Sequence, residues 1–174
     1  MKKLLIVVDM QKDFVDGALG SAEAVAIVEN VVQKIQGFDG DILVTYDTHQ
    51  ENYLDTQEGK LLPVPHCIEG TLGWQLDAKV QAALAQREYQ AIKKPTFGSV
   101  ELVDYIKENY APAELEIELI GLCTDICVVS NALLMKANFL ETKVSVDASC
   151  CAGVTVDSHN AALTTMKMCQ VYVN

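Results

Sequence analysis

The stretch Leu115–Leu134, which reads LEIELIGLCTDICVVSNALL, predicts a buried strand, a turn and a helix in direct succession. The predicted strand, Leu115–Ile120, is followed by Gly121, and the helix begins near Thr124 or Asp125. A strand that leads straight into a helix presents free backbone N–H groups and the positive end of the helix dipole at one point. Cys127 would lie in the first turn, where a thiol is easier to ionise. The stretch therefore predicts a nucleophile beside an oxyanion hole, although a buried cysteine can also serve only to fill space.

Composition narrows the classes of function for this chain of 174 residues. The net charge of -11 argues against a nucleic-acid partner and against binding to an anionic membrane surface. The apolar run Leu4–Val8 is too short for a signal peptide, and no stretch approaches the roughly 20 apolar residues of a membrane span. We therefore expect a cytoplasmic protein whose six cysteines are mainly reduced. They form no Cys-x-x-Cys pair, so neither a zinc knuckle nor a thioredoxin-type motif is expected.

The rest of the chain alternates between apolar strands and amphipathic helices. Besides Leu115–Ile120, the predicted strands are Leu4–Val8, Ile42–Tyr46, Tyr89–Ile92, Lys143–Val146 and Val171–Val173. The predicted helices run from Ser21 to Gly37, over Trp74–Ala85, from Ser99 to Asn109, from the Cys127 turn to Asn138, and over Thr155–Lys167. Such alternation is typical of a parallel sheet. We predict one α/β domain, residues 1–174, with three α-β-α layers: a mainly parallel six-stranded sheet with helices on both faces.

Chemically capable side chains follow four of the predicted strands, at Asp9, at Asp47 with His49, at Lys94 and at Cys127. In open α/β sheets, ligands bind outside the carboxyl ends of the strands, so these groups are expected to converge. Asp9 could take the thiol proton, and Lys94 could hold the negative charges together while Cys127 attacks a carbonyl. The backbone N–H groups of Cys123 and Cys127 would face the oxyanion. Alternatively, Asp9 only caps its strand, and Lys94 is a solvated turn residue.

A second cluster is predicted in and before the long loop Gln50–Gly73. Its members are side chains suited to Zn, Mn or Fe: Asp47, His49, Glu58 and His66. The alternative is a pair of loop histidines, one of them hydrogen-bonded to Asp47. The remaining histidine, His159, is expected to be structural, and Asp125 is expected to cap its helix.

These motifs resemble those of the isochorismatase-like cysteine hydrolases, and within them the nicotinamidases (pyrazinamidases). The resemblance covers essentially the whole chain, through VVDMQKDFVDGAL (7–19), TYDTH (45–49), EGKLLPVPHCIEGTLGW (58–74), KKPTFGS (93–99) and GLCTDICVVSNALL (121–134). It implies a Rossmann-like fold, a catalytic triad of Asp9, Lys94 and Cys127, and a cis peptide bond between Leu122 and Cys123. It also implies that the oxyanion is held by the backbone at 123 and 127.

The resemblance further implies a metal site and a substrate. Asp47, His49 and His66 match the metal ligands of nicotinamidases, and Glu58 matches a fourth ligand found in one branch. Phe14 and Phe97 match aromatic residues that line the pocket, whereas Leu62 stands where a bulky aromatic residue is expected. The metal, zinc before manganese or iron, would hold the pyridine nitrogen of nicotinamide. Hydrolysis would then give nicotinate and ammonia, a step of NAD salvage, in a protein that forms homo-oligomers.

Three alternatives remain open at the level of sequence. Another cysteine hydrolase of the same superfamily could act on a different small amide or carbamoyl compound. A redox thiol protein would use the closely spaced Cys123 and Cys127. A catalytically silent binding domain would predict a missing triad residue, and none is missing.

Overall fold

Six parallel strands form one sheet in the computed structural model, which describes all residues from 1 to 174. The strands are β1 (Lys2–Val8), β2 (Asp41–Asp47), β3 (Gln90–Lys94), β4 (Leu115–Leu122), β5 (Lys143–Ala152) and β6 (Tyr172–Val173). Their order across the sheet is β3-β2-β1-β4-β5-β6. β1 is a continuous buried apolar run from Leu4 to Val8, because parallel strands are covered on both faces. β4 carries two partly buried glutamates, Glu116 and Glu118, and is fully buried from Leu119 to Leu122.

Seven helices connect the strands. They are α1 (Lys12–Val15), α2 (Ala22–Gly37), α3 (Gln57–Leu61), α4 (Ala78–Leu84), α5 (Val100–Asn109), α6 (Val129–Asn138) and α7 (Val156–Met168). Short 3-10 turns cover Tyr53–Asp55 and Pro112–Glu114, and one π-helical turn covers Thr124–Val128. No helix combines the length and the hydrophobicity that crossing a lipid bilayer requires.

Successive side chains of β1 point into two separate hydrophobic cores. Leu4, Ile6 and Val8 pack with apolar residues of α5, α6 and α7 on one face of the sheet. Leu5 and Val7 pack with apolar residues of α2 and α4 on the other face. This arrangement follows from the two-residue period of a strand. The predicted three-layer α/β fold with a six-stranded sheet is confirmed.

Two local predictions are wrong. The helix predicted over Trp74–Ala85 is confined to α4, because the Asp77 side chain caps its start by accepting hydrogen bonds from Lys79 N and Val80 N. Trp74 lies outside the helix and donates its indole N–H to Thr48 Oγ1. Asp125 does not cap a helix: its carboxylate accepts a hydrogen bond from the N–H of Val154, two residues after the end of β5.

The sheet has its topological switch point between β1 and β4. The chain moves outward from β1 through β2 to β3, and then returns to the other side for β4, β5 and β6. Loops that leave neighbouring strands here diverge above and below the sheet and leave a crevice between them. Asp9 follows β1, Asp47 and Lys94 end β2 and β3, and the Cys127 turn follows β4, so the crevice collects these residues.

Candidate active site

Asp9, Lys94 and Cys127 form one buried contact at the switch point. Lys94 Nζ lies 2.6 Å from Asp9 Oδ2 and donates a hydrogen bond of 3.4 Å to Cys127 Sγ. Its third partner is the carbonyl oxygen of Thr96, at 3.0 Å. Asp9 and Lys94 have no exposed surface and Cys127 is only 4% exposed. An acid–base group, a cation and a thiol are thus within reach of one another, as a covalent mechanism needs.

Asp9 is held by the neighbouring strand β2. Its backbone has a φ of 46°, a left-handed conformation that Asp tolerates better than most residues. Its N–H donates to the carbonyl oxygen of Thr45, and the buried Thr45 hydroxyl donates to Asp9 Oδ1 at 2.6 Å. Oδ2 has the ion pair with Lys94 but accepts no hydrogen bond of good geometry. That oxygen is therefore free to accept a proton.

Burial dominates the electrostatics of the triad. Burial opposes the charge of Lys94, but the carboxylates of Asp9 and Asp47 and the Cys127 sulfur outweigh it and raise the pKa of the ammonium. Burial raises the pKa of the Cys127 thiol, and the Asp9 carboxylate raises it further, against the opposing effect of Lys94. The expectation of an easily ionised thiol is therefore wrong for the resting site, since burial and the Asp9 carboxylate raise the pKa of Cys127. Burial also raises the pKa of Asp9, which makes this carboxylate a better proton acceptor.

The turn that carries Cys127 leaves β4 through an unusual backbone. The Leu122–Cys123 peptide bond is cis, as the resemblance implies, and Cys123 O accepts the N–H of Val128 in the π-helical turn. Gly121 has a φ of +119°, and a Cβ there would lie 2.1 Å from Val8 O. Only glycine lets the end of β4 come this close to β1. Because Asp9 directly follows Val8, this approach brings the nucleophile turn next to the carboxylate.

Three donor groups meet beside the triad. Asp47 Oδ2 lies 3.0 Å from His49 Nε2 and 3.4 Å from His66 Nε2, and the three ligand atoms lie within 4.8 Å of one another. His66 Nδ1 lies 2.8 Å from the carbonyl oxygen of Val64. A carbonyl can only accept, so Nδ1 carries a proton. Nε2 faces Asp47, donating to it when it is protonated, and could bind a metal once it is deprotonated. Although burial opposes it, hydrogen bonding to both imidazoles lowers the pKa of Asp47 below its usual range. One carboxylate and two imidazoles are donors that fit zinc and related ions.

Glu58 lies at the edge of this cluster. Its Oε1 is 3.6 Å from His49 Nε2 and 3.8 Å from His66 Nε2, and a quarter of its side chain is exposed. The helix α3, capped by the Thr56 side chain, presents Glu58 from the long loop. The structure therefore places all four candidate ligands together, with Glu58 farther out than the other three.

A small cavity of about 50 Å³ lies between Cys127 and three of the candidate ligands. It is lined by Phe14, Leu19, Asp47, Glu58, Leu62, His66, Phe97, Cys123, Ile126 and Cys127. Phe14 is buried with its ring centroid 5.4 Å from that of His66, whereas Phe97, which also lines the cavity, is half exposed. A larger surface cleft, of about 650 Å³, is lined by charged residues such as Lys34 and Glu118 and contains no residue of the triad. We therefore take the small cavity as the candidate substrate site.

The neighbouring lysine and the third histidine are not at this site. Lys93 is exposed and forms an ion pair with Glu69, so Lys94 is the lysine that the fold turns inward. His159 Nδ1 lies 2.8 Å from Thr124 Oγ1, where α7 packs against the π-helical turn.

Three residues near the site were not singled out from the sequence. Tyr53 is buried with its ring edge-on to both imidazoles, at centroid distances of 4.9 Å from His49 and 5.1 Å from His66. Thr45 orients Asp9, and Asn131 bonds to the carbonyl oxygen of Cys127. Asn131 follows Cys127 by four residues on a helix, and this spacing could have suggested a contact. Neither Tyr53 nor Thr45 belongs to a pattern that points to a site.

Comparison with known proteins places this geometry in a family. The family model named isochorismatase domain matches residues 3–174. The chain belongs to the isochorismatase family. Within this family it is 28% identical to the nicotinamidase/pyrazinamidase of Mycobacterium tuberculosis, over 97% of this chain and 96% of that protein.

Solved structures of the isochorismatase family show the same fold. The crystal structure of the nicotinamidase/pyrazinamidase PncA from Bacillus subtilis superposes with a TM-score of 0.86, at 25% identity and over 99% of both chains. That of the pyrazinamidase of Pyrococcus horikoshii in complex with zinc has a TM-score of 0.80 at 25% identity, covering 100% of this chain and 99% of that one. The predicted resemblance to nicotinamidases is confirmed, and with it the prediction of a nicotinamidase-like hydrolase.

Proposed function

We propose that the protein hydrolyses the carboxamide of nicotinamide to nicotinate and ammonia through a thioester on Cys127. The observation that carries this proposal is the contact of Lys94 with both Asp9 and Cys127, at 2.6 Å and 3.4 Å. Cys127 also lines a cavity, together with Asp47 and His66. The relatives named as nicotinamidases support the choice of substrate.

The first half of the reaction forms the thioester. Asp9 Oδ2 takes the proton of the Cys127 thiol, and the thiolate attacks the carboxamide carbon. The negative charge moves to the carboxamide oxygen, which faces the backbone N–H groups of Cys123 and Cys127. Protonated Asp9 gives its proton to the amide nitrogen, the C–N bond breaks, and ammonia leaves.

The second half releases the acid. A water molecule attacks the thioester carbon while Asp9 takes one of its protons. The carbon–sulfur bond breaks, the Cys127 sulfur recovers the proton from Asp9, and the carboxylic acid ionises to nicotinate. Lys94 stays charged throughout, because the carboxylates around it hold its pKa above the ordinary value. Its role is to stabilise each negative charge that appears on Asp9 and on the Cys127 sulfur.

The donor set fits a divalent ion, with zinc before manganese or iron. Asp47, His49 and His66 would hold it, and Glu58 would contribute from the edge of the site. When bound, such an ion supplies a Lewis acid to which a ring nitrogen can coordinate, so that the carboxamide of the substrate is oriented. The residues of the chain that orient the ligands are Val64, through His66 Nδ1, and Tyr53, through its packing against both imidazoles.

The size of the cavity supports a small substrate. Ordinary ligand pockets enclose roughly 300–1,000 Å³, whereas this one encloses about 50 Å³ between Phe14 and Phe97. A cavity of this size favours a substrate as small as a single aromatic ring with a carboxamide over a larger molecule. The free state of all six cysteines supports a reducing compartment, such as the cytoplasm, as the place of the reaction.

The test is ammonia release from nicotinamide by the purified protein. Cys127→Ala and a chelator-treated sample should both be silent, and added Zn²⁺ should restore the chelated sample. Cys169→Ala is the matched control, because Cys169 is exposed and lies outside the cavity. Silence of the untreated protein on nicotinamide, with release from another small amide or carbamoyl compound, would instead identify a different cysteine hydrolase of the family.

A further inference from the structure

Asn131 uses its whole side chain to join two separate segments of backbone. It is completely buried in α6, one turn after Cys127. Its Nδ2 donates to the carbonyl oxygens of Cys127, at 2.8 Å, and of Phe97, at 3.1 Å. Its Oδ1 accepts a hydrogen bond of 3.0 Å from the backbone N–H of Ser99. Both amide protons and the amide oxygen are therefore bonded to main-chain groups.

The two segments belong to different parts of the site. One is the turn that carries the nucleophile. The other is the loop that follows Lys94, in which Thr96 O accepts from the Lys94 ammonium and Phe97 lines the cavity. These segments leave β4 and β3, and two other strands separate β3 from β4 in the sheet. These two strands therefore make no direct hydrogen bonds that would hold the two segments together.

A second contact shows how closely the loop lies on α6. A Cβ at Gly98 would lie 2.5 Å from Leu134 Cδ1 and 3.4 Å from Ser130 Cβ. Gly98 stands between the two loop residues that Asn131 holds. The loop is thus seated on the helix at Gly98 and bonded to it through Asn131 on either side.

We propose that Asn131 is a positioning residue of this active site, which holds the nucleophile turn and the Phe97 wall at a fixed separation. The inference rests on the proposed amide hydrolysis. Asn131 does not touch the substrate; it acts through the backbone of Cys127 and through Phe97. A displacement of about 1 Å between nucleophile and substrate can lower a rate by roughly 10²-fold, so a clamp of this kind has a measurable effect on turnover.

A purely structural role is the competing explanation, and the same helix offers its control. Asn138 also donates from Nδ2 to the carbonyl oxygen four residues before it, that of Leu134, at 3.0 Å. Its Oδ1 accepts from Lys107 Nζ on α5, so that it too joins two elements. Asn138 is exposed and has no contact with the site. If the bond within the helix were all that mattered, both asparagines would behave alike.

The experiment compares Asn131→Leu and Asn138→Leu by two measurements. The first is kcat and KM for ammonia release from nicotinamide. The second is the rate of alkylation of Cys127 by iodoacetamide, followed by mass spectrometry of the individual cysteines. Buried Cys151, in β5, serves as the internal reference for global opening of the fold.

For Asn131→Leu we expect kcat to fall by roughly 10- to 100-fold and KM to rise, because both the nucleophile and the Phe97 wall are released. Alkylation of Cys127 should become faster while that of Cys151 does not change, because the thiol loses its cover and the fold survives. Asn138→Leu should stay within about twofold of the wild type in every measurement. Asn131→Asp, which keeps the size and the acceptor for Ser99 N–H but loses the donor, should change in the same direction as Asn131→Leu.

Two results would overturn the inference. One is unchanged kcat, KM and Cys127 alkylation in both Asn131 variants. The other is a parallel increase in the alkylation of Cys127 and Cys151 in both, which would show that Asn131 supports the fold alone. If the wild type releases no ammonia from nicotinamide, the proposed substrate fails, whereas the alkylation rates still decide the role of Asn131.

Discussion

Lys94 Nζ lies 2.6 Å from Asp9 Oδ2, and neither side chain has any exposed surface. A charge buried in this way is stable only while its partner is present, because the protein interior solvates it poorly. The pair is therefore part of the fold as well as of the proposed chemistry.

The first prediction separates these two roles. Asp9→Asn and Lys94→Met should each lower the free energy of unfolding by roughly 3–5 kcal/mol, because each leaves one buried charge unpaired. The double variant should be clearly more stable than the sum of the two single losses implies. Both single variants and the double variant should release no ammonia. Urea unfolding measures the free energy of unfolding of each variant. Lys93→Met is the control, since exposed ion pairs contribute only about 0–1 kcal/mol. Strict additivity of the two single losses would contradict the pairing.

The second prediction concerns the two cysteines of the turn. Cys127→Ala should lower kcat by at least roughly 10³-fold, because it removes the nucleophile, and should leave the fold intact. Cys123→Ala should have a much smaller effect, because residue 123 contributes its backbone N–H. Equal losses in the two variants, or an oxidant-induced disulfide between them that governs activity, would favour a redox role instead. Ammonia release and circular dichroism provide the measurements.

The third prediction concerns metal binding. His49→Ala and His66→Ala should lose the bound metal that elemental analysis detects in the wild type, because each removes an imidazole from the cluster around Asp47. His159→Ala should retain it, since His159 contacts Thr124 instead. Glu58→Gln should bind the metal more weakly and not lose it altogether, in line with its longer distances. Full metal content in both of the first two variants would refute the site.

The fourth prediction concerns the close approach of β4 to β1. Gly121→Ala should destabilise the protein by more than about 3 kcal/mol, because the new Cβ meets Val8 O in a backbone conformation that only glycine adopts easily. Gly37→Ala, at the end of α2, where an added Cβ would meet no atom within 4 Å, should instead stabilise it by roughly 0.4–1 kcal/mol. Urea unfolding of both variants decides the matter, and a mild effect at position 121 would contradict the strained approach.

The fifth prediction concerns stability in acid. Burial raises the pKa of Asp147, but the hydrogen bonds from Lys34 and Ser149 outweigh it, so the pKa lies below its usual value. A lowered pKa adds stability that is present above the unfolded pKa of about 3.9 and is lost as the pH falls through the folded value. The advantage of the wild type over Asp147→Asn should therefore shrink as the pH is lowered from about 5 to about 2. Urea unfolding across this range measures it, and an advantage that does not depend on pH would exclude the ion pair as its source.

Much of the site could be predicted from the sequence because a parallel sheet gathers the carboxyl ends of its strands. Asp9, Lys94 and Cys127 each follow a predicted strand, and the structure brings all three together. The candidate metal ligands could be named for the same reason, since Asp47 and His49 leave one strand and Glu58 and His66 follow in its loop. The helix predicted to begin at Trp74 begins only after Asp77, whose side chain caps α4. A hydrophobic pattern does not show where such a cap starts a helix.

By itself, the sequence determined the order of strands and helices, the two faces of the sheet and the residues at its strand ends. These depend on the local alternation of apolar and polar residues, which is visible along the chain. Only the tertiary structure decided that burial raises the pKa of the Cys127 thiol, that Tyr53 packs against the two histidines, and that Asn131 joins Phe97 and Ser99 to the nucleophile turn. Asn131 lies 34 and 32 residues from its two loop partners. Contacts over such separations depend on how loops pack in space, and loops have no periodic pattern from which that packing could be predicted.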